Sequence, residues 1–217
     1  PAGKAYGGID DRQFFRGLSG ILQRVVISSC GSKIRSGKTK MLKEAIRKQL
    51  KREAEPDYKE FQAKLLPGVD GILGVRLPKL REIAKRIAKT DAQEYLNHEM
   101  YAVIHSADED SIVYYEEKML YGMVIGYAKA DDAQRRQWLD LFVPRIDSWG
   151  VCDSCCMTFK WMKEKPELWW EYVKTWTFAN EEYEIRFGLV CMLAHFIDER
   201  HIQEILAVCS RVLHEGY

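Results

Sequence analysis

The sequence places a carboxylate, an indole and a guanidinium in segments that otherwise favour burial. Asp153 follows Trp149 by four residues, so a helix would put both side chains on one face. The N-terminal position in that helix favours an ionised carboxylate. Arg186 interrupts the apolar run 185–193, where an unpaired guanidinium would be costly. An ionised carboxylate beside these groups is suited to stabilising positive charge.

Asp153 and Arg186 are 33 residues apart, which is close to one structural repeat of this chain. Stacking of the two helices is therefore expected to bring them side by side. Two interpretations remain open at this stage. The pair either holds two repeats in register with Trp149 as core packing, or it forms a functional site. A buried ion pair adds little net stability compared with apolar side chains, so its presence needs another reason.

The segments that would position these residues all have helical periodicity, and no strand pattern is present. Leu42, Ile46 and Leu50 recur at helical spacing, and a short apolar segment at 61–66 ends at Pro67-Gly68. The later helices are predicted at Pro78–Lys89, Ser111–Ala130, Asp132–Val143, Ser148–Met162, Pro166–Phe178, Glu181–Ile197 and Arg200–Leu213.

The later helices form pairs that begin near residues 110, 148 and 181, a period of about 35 residues. This period predicts an all-α, HEAT-like α-α superhelix, a solenoid of antiparallel helix pairs. The first helix of each pair is the more apolar one, so neighbours should cover it except for a strip on the concave face. Solenoids are usually binding scaffolds, and a cradle for protein or nucleic acid is therefore the alternative function.

The composition fits one compact domain or repeat array: 217 residues, of which 47% are hydrophobic and 30% are charged. Residues 1–40 contain eight basic and two acidic residues, and residues 41–217 contain 25 and 30. We predict that residues 1–40 are a vector-derived or upstream extension, or a basic targeting leader, outside the fold. Residues 41–217 are predicted to be the domain. No apolar run reaches the ~18 residues of a membrane-spanning helix.

Two motifs are weak indications of other chemistry. Residues 31–39 resemble a phosphate-binding P-loop, but five residues rather than four separate the glycines, so nucleotide binding is not expected. The six cysteines, at positions 30, 152, 155, 156, 191 and 209, fit small buried hydrophobes in a reducing compartment. A metal or redox role for Cys152, Cys155 and Cys156 is the alternative, but the sequence has no second cysteine pair or histidine pair at the spacing of metal ligands. No metal and no cofactor are predicted.

Three pieces of sequence, in this order, resemble the AlkD-type DNA alkylation repair glycosylase family. They are residues 74–81 (GVRLPKLR), the Trp149-x-x-x-Asp153 step and the Glu184-Ile185-Arg186 helix, and the similarity extends from Met41 to the end of the chain. The resemblance implies a HEAT-like solenoid that holds duplex DNA on a positively charged concave face. It also implies removal of cationic alkylated purines such as 3-methyladenine and 7-methylguanine.

By this resemblance, Asp153 corresponds to the catalytic carboxylate, Trp149 to the aromatic beside the lesion, and Arg186 to a basic residue near the DNA backbone. The resemblance implies double-stranded DNA with alkylated bases as the partner. A monomer without membrane association is expected, in the cytoplasm of a bacterial-type cell and on the nucleoid when bound to DNA.

The residue chemistry agrees with this assignment. A cationic alkylpurine leaves as a neutral base, and glycosidic cleavage passes through an oxocarbenium-like state that Asp153 can stabilise while it orients a water. The indole of Trp149 can lie against the cation. Arg186 can bind a phosphate or keep Asp153 ionised. Candidate phosphate-binding residues are Arg76, Lys79, Arg81, Lys85, Lys160 and Lys163.

Two further expectations concern a pair of glutamates and the C-terminal end of the chain. Glu116 and Glu117 lie one period before Asp153 and can reach the groove, but their flanks favour a simple surface position. The family normally continues with a further helix pair that carries a second aromatic. We therefore predict that the domain is C-terminally truncated, that its concave site is incomplete without this aromatic, and that apolar surface on residues 200–213 is exposed.

Overall fold

The architecture is taken from a computed structural model, which describes residues 36–97 and 114–211, with side chains from residue 41. Thr39–Tyr217 form a compact unit. Cys30 and residues 31–35 of the P-loop-like stretch lie outside the described residues. The first described helix begins at Ser36, so Met41 lies within it. The proposed domain boundary after residue 40 stays a prediction.

The described residues form helices and no strands, which confirms the all-α prediction. Two 3₁₀ helices, Val143–Arg145 and Lys160–Glu164, and a helical segment at 92–97 complete the set. The α-helices are α1 (Ser36–Glu53), α2 (Pro56–Leu65), α3 (Leu77–Thr90), α4 (Tyr115–Tyr127), α5 (Asp132–Phe142), α6 (Trp149–Cys156), α7 (Pro166–Trp176), α8 (Glu182–His195) and α9 (Ile202–Arg211).

The helices stack as a helical solenoid, as predicted. Helix α3 packs on α4, α4 packs on α6, and α6 packs on α8, so the first helices of successive pairs form one continuous layer. Helices α5 and α9 each contact the first helix of their own pair, whereas α7 packs on α8, the first helix of the following pair. In α4, all residues except Lys118 and Tyr127 are buried, as expected for a first helix covered by its neighbours.

Glycines allow the first helices to approach closely. A Cβ on Gly126 would lie 1.9 Å from the Thr158 hydroxyl oxygen, and a Cβ on Gly122 would lie 2.5 Å from the Cys155 sulfur. The absence of these side chains therefore sets the distance between α4 and the end of α6.

The prediction of a single helix over Ser148–Met162 is wrong. Helix α6 ends at Cys156, and the chain turns at Met157-Thr158 before the 3₁₀ helix begins. The Thr158 hydroxyl donates to the Cys155 carbonyl at 2.6 Å, while the same side chain fills the space left by Gly126. The turn therefore depends on a residue of α4 that is distant in sequence.

The other helix boundaries differ from the predictions by a few residues. Predicted helix Ser111–Ala130 corresponds to α4, and its residues 111–113 lie outside the described residues. Helix α9 ends the described chain at Arg211, so residues 212 and 213 of the predicted last helix are also outside it. Leu206 of α9 is 56% exposed, as predicted for apolar surface near this end, whereas Ile205 and Val208 are buried.

The cysteine prediction is correct for four of the residues. Cys152, Cys155, Cys156 and Cys191 are free thiols buried between α6 and α8, whereas Cys209 is exposed. Burial raises the pKa of Cys155 and of Cys191, so these thiols stay protonated and unreactive. Among the described residues, no cluster of His, Cys, Asp and Glu has the geometry of a metal site. No described helix is both long enough and apolar enough to cross a membrane.

Ion pairs between consecutive helix pairs recur along the second helices, α5, α7 and α9. Lys165 pairs with Asp132, and Arg200 pairs with Glu167 at 2.7 Å, in each case across 33 residues. The residues at these positions are exposed or partly exposed, and such surface pairs contribute little to stability. Ion pairs at a spacing of one repeat are therefore a general feature of the array, and spacing alone does not assign a function to any of them.

We expect His195 to make the stability of the fold depend on pH. Its Nε2 lies 2.7 Å from the carbonyl oxygen of Cys156, and burial lowers the pKa of the imidazole below its ordinary value of about 6.5. The unfolded chain therefore binds a proton at a pH where the folded chain does not, so stability is lost as pH falls below about 6.5. Denaturant titrations at pH 7.5 and 5.5 should show a smaller pH dependence for His195→Gln than for the wild type; an equal dependence contradicts this assignment.

Candidate functional site

The carboxylate of Asp153 and the guanidinium of Arg186 form a bidentate ion pair between α6 and α8. Arg186 donates from Nε to Oδ1 and from Nη2 to Oδ2, each at 2.9 Å. The predicted contact between residues one repeat apart is thereby confirmed. A bidentate arrangement fixes the plane of the carboxylate as well as its position.

This pair is accessible and does not lie in a sealed core. The side chains are 38% exposed for Asp153 and 31% exposed for Arg186. The hydrogen bond from Arg186 to Asp153 raises the pKa of the arginine, so the guanidinium remains charged. Each carboxylate oxygen can accept more than one hydrogen bond, so Asp153 retains acceptor capacity toward a water or a ligand.

Trp149 begins α6, one turn before Asp153, and its indole is anchored to another part of the fold. The indole Nε1–H donates to the carbonyl oxygen of Leu65, at the end of α2, at 3.3 Å. The ring is partly buried against the core, which leaves part of it exposed. Gly150 follows it, and a Cβ there would lie 2.2 Å from the Tyr115 hydroxyl oxygen. The start of α6 is therefore held closely against α4 and α2.

Sequence reasoning misplaced the two carboxylates one period before Asp153. Glu116 and Glu117 are buried, with exposures of 0% and 2%, and do not lie on the surface. Glu117 pairs with Arg47 of α1 and accepts from the Tyr114 backbone N–H, as in a capping box. Glu116 accepts hydrogen bonds from backbone amides of the 73–75 segment. One sequence signal indicates that these carboxylates are buried acceptors: two adjacent glutamates stand at the start of an otherwise apolar helix.

A family model described as DNA alkylation repair enzyme matches residues 46–216, which include the end of α1 and all of α2 to α9. The chain belongs to the DNA alkylation repair enzyme family. Membership assigns this family member to DNA repair and agrees with the resemblance stated from the sequence. No curated protein and no solved structure matches the chain.

The basic candidates of this DNA alkylation repair family member fall into two groups. Arg76 pairs with Glu55 and stacks on Tyr58, and Lys79 pairs with Glu82, so acids partly neutralise both. The others form no ion pair with a described acid: Lys85 lies over the Tyr127 ring, Arg81 is close to the same tyrosine, and Lys160 and Lys163 are exposed near His195. Arg81, Lys85, Lys160 and Lys163 therefore remain the stronger candidates for phosphate binding.

Proposed function

We propose that the protein is a DNA glycosylase that hydrolyses the N-glycosidic bond of cationic alkylated purines, such as 3-methyladenine and 7-methylguanine, in duplex DNA. The observation that supports this proposal is the accessible Asp153–Arg186 pair with Trp149 one helical turn away. Family membership supports a repair enzyme for alkylated DNA. The reaction and the roles of these residues are our inference from the chemistry of the pair.

The exposed carboxylate of Asp153 supplies negative charge where the deoxyribose becomes cationic. Alkylation has already made the purine a good leaving group, so no strong general acid is needed. The sugar then develops oxocarbenium character, which an ionised carboxylate stabilises electrostatically. Asp153 also accepts a hydrogen bond from the water that attacks the sugar, and it takes up the proton that this water loses.

Arg186 and Trp149 have supporting roles in this proposal. Arg186 fixes the orientation of the carboxylate, and its remaining N–H groups are available to a DNA phosphate. The indole N–H of Trp149 donates to the Leu65 carbonyl oxygen, which holds the ring in place. The face of the ring then contacts the cationic nucleotide, and such a contact is worth roughly 0.5–2 kcal/mol. In this proposal Trp149 binds the lesion, Asp153 stabilises the sugar, and Arg186 binds the DNA backbone.

The proposal is tested by measuring free 3-methyladenine and 7-methylguanine after incubation of the protein with methylated duplex DNA. We expect release that depends on protein concentration and is absent with heat-denatured protein. If no base is released while salt-sensitive DNA binding is retained, the alternative of a catalytically silent scaffold is supported instead.

We expect the affinity for duplex DNA to depend on salt through Lys160 and Lys163. Neither lysine is paired with a described acid, so each can neutralise a phosphate and release a counterion. The double substitution by Ala should weaken binding and reduce the slope of log K against log salt by about 1 to 2. The comparison is Lys79→Ala, whose ammonium already pairs with Glu82. Equal slopes for wild type and double variant contradict the assignment.

A further inference from the structure

Glu116 is a buried carboxylate whose partners are main-chain amides. Its side chain accepts from the N–H groups of Leu73, Gly74 and Val75 at 3.0, 2.7 and 3.2 Å. No basic side chain of the described residues forms an ion pair with it. Three successive amides that converge on one carboxylate form an anion-binding nest, here closed by a residue of the protein itself.

The segment between α2 and α3 has no regular structure that would satisfy these amides in another way. Gly74 has φ +92°, and a Cβ there would lie 2.6 Å from the Glu55 carbonyl oxygen, so the backbone is tightly confined. An unpaired buried amide costs free energy comparable to a lost hydrogen bond. Glu116 therefore determines the conformation of residues 73–75 from its position in the first turn of α4.

The other end of the same segment contacts the start of α6. The Leu65 carbonyl oxygen accepts the hydrogen bond from the Trp149 indole, and Leu66 lies against Gly150. Between the two ends, the Gly71 carbonyl accepts from the Tyr115 backbone N–H at 3.2 Å. Residues 65–75 thus join Glu116 to Trp149 through a short run of main chain that is held at both ends.

We propose that Glu116 is a positioning residue for the glycosylase reaction, which rests on the function proposed above. Glu116 holds the 65–75 segment, this segment holds the Leu65 carbonyl, and that carbonyl orients the indole that faces the lesion. Glu116 itself touches neither the substrate nor Asp153. Its effect reaches the reaction only through the ring plane of Trp149.

The test compares Glu116→Gln with Glu117→Gln, which removes the neighbouring buried carboxylate that pairs with Arg47. We expect Glu116→Gln to lower the single-turnover excision rate roughly 10- to 100-fold, because small misplacements of a binding group have effects of this size. The affinity for DNA should stay within about twofold of the wild-type value, because the misplaced indole affects the chemical step only. The Trp149 indole resonance should shift in Glu116→Gln and stay in place in Glu117→Gln, whose rate should be near that of the wild type.

A double-mutant cycle isolates the route through the indole. Trp149→Phe removes the N–H donor and keeps an aromatic ring, so Glu116→Gln should change the rate less than about threefold in this background. Equal effects in both backgrounds, or equal rates for Glu116→Gln and Glu117→Gln, would overturn the proposal.

A measurement on the wild type keeps the test valid if Glu116→Gln does not fold. The Trp149 indole proton and the amide protons of residues 73–75 should exchange slowly with solvent. Hydrogen exchange of these protons at the rate of an unfolded chain would overturn the proposal. If the wild type shows this protection but releases no alkylated base, the proposed glycosylase function fails while the link from Glu116 to Trp149 stands.

Discussion

Substitution of Asp153 by Asn should lower the rate of base excision on the order of 10²- to 10⁴-fold, with little change in DNA affinity. The amide has nearly the same shape, but it carries no negative charge toward the oxocarbenium-like sugar and is a poor acceptor for the proton of the attacking water. It also turns one of the two acceptors of Arg186 into a donor, so the bidentate arrangement is lost. Release of 7-methylguanine in single-turnover experiments, with binding measured separately, separates these effects.

The matched control is Asp147→Asn, because Asp147 is a second carboxylate just before α6. It pairs with Lys118 and is more exposed than Asp153, and we assign it no role in the reaction. Its rate should remain within about threefold of the wild type, as for most surface changes. Equal excision by the wild type and Asp153→Asn, at equal folded fractions, would show that the pair only joins two repeats.

The largest loss of stability is expected from Phe187→Ala. Phe187 follows Arg186 on α8 and has an exposure of 0%; its ring centroid lies 6.0 Å from that of Trp176 and 6.3 Å from that of Phe159. Removing a buried phenyl group costs about 3–5 kcal/mol, because transfer free energy is lost and a cavity remains. This is a large part of the roughly 5–15 kcal/mol of a typical domain. Denaturant titration should show a lower midpoint with an unchanged slope.

Leu193→Ala on the same helix provides the comparison for this prediction. Leu193 is 68% exposed, so its truncation should change the free energy of unfolding by less than about 0.5 kcal/mol. If the two variants lose similar stability, Phe187 does not pack in the core as described. Residual excision by folded Phe187→Ala also reports how much the Arg186 position depends on the packing beneath it.

The helical solenoid and the Asp153–Arg186 contact could both be predicted from the sequence, and for the same reason. Helical periodicity and the repeat spacing are local patterns, and two residues one repeat apart on successive first helices must meet when those helices stack. A charge within an apolar helix requires a partner, and Asp153 was the acid at the right distance from Arg186. The roles of these residues in the reaction stay predictions.

The position of Glu116 could not be predicted, because its partners are main-chain amides about 40 residues earlier in the sequence. No side-chain pattern marks a run of amides, and the neighbouring tyrosines and Lys118 are compatible with a surface helix. The end of α6 was missed for a related reason. The turn at Thr158 contains neither Gly nor Pro, and the space that it fills is left by Gly126 in another helix.

Because Asp153 and Arg186 belong to consecutive helix pairs, the site is a property of a junction and not of any one repeat. A single excised helix pair carries at most half of it. A cut at residues 177–181, between α7 and α8, would place the carboxylate and the guanidinium on different fragments, so the site would form only when the two fragments reassociate. Insertion of one additional repeat at the same point would leave every helix intact and separate the carboxylate from its guanidinium.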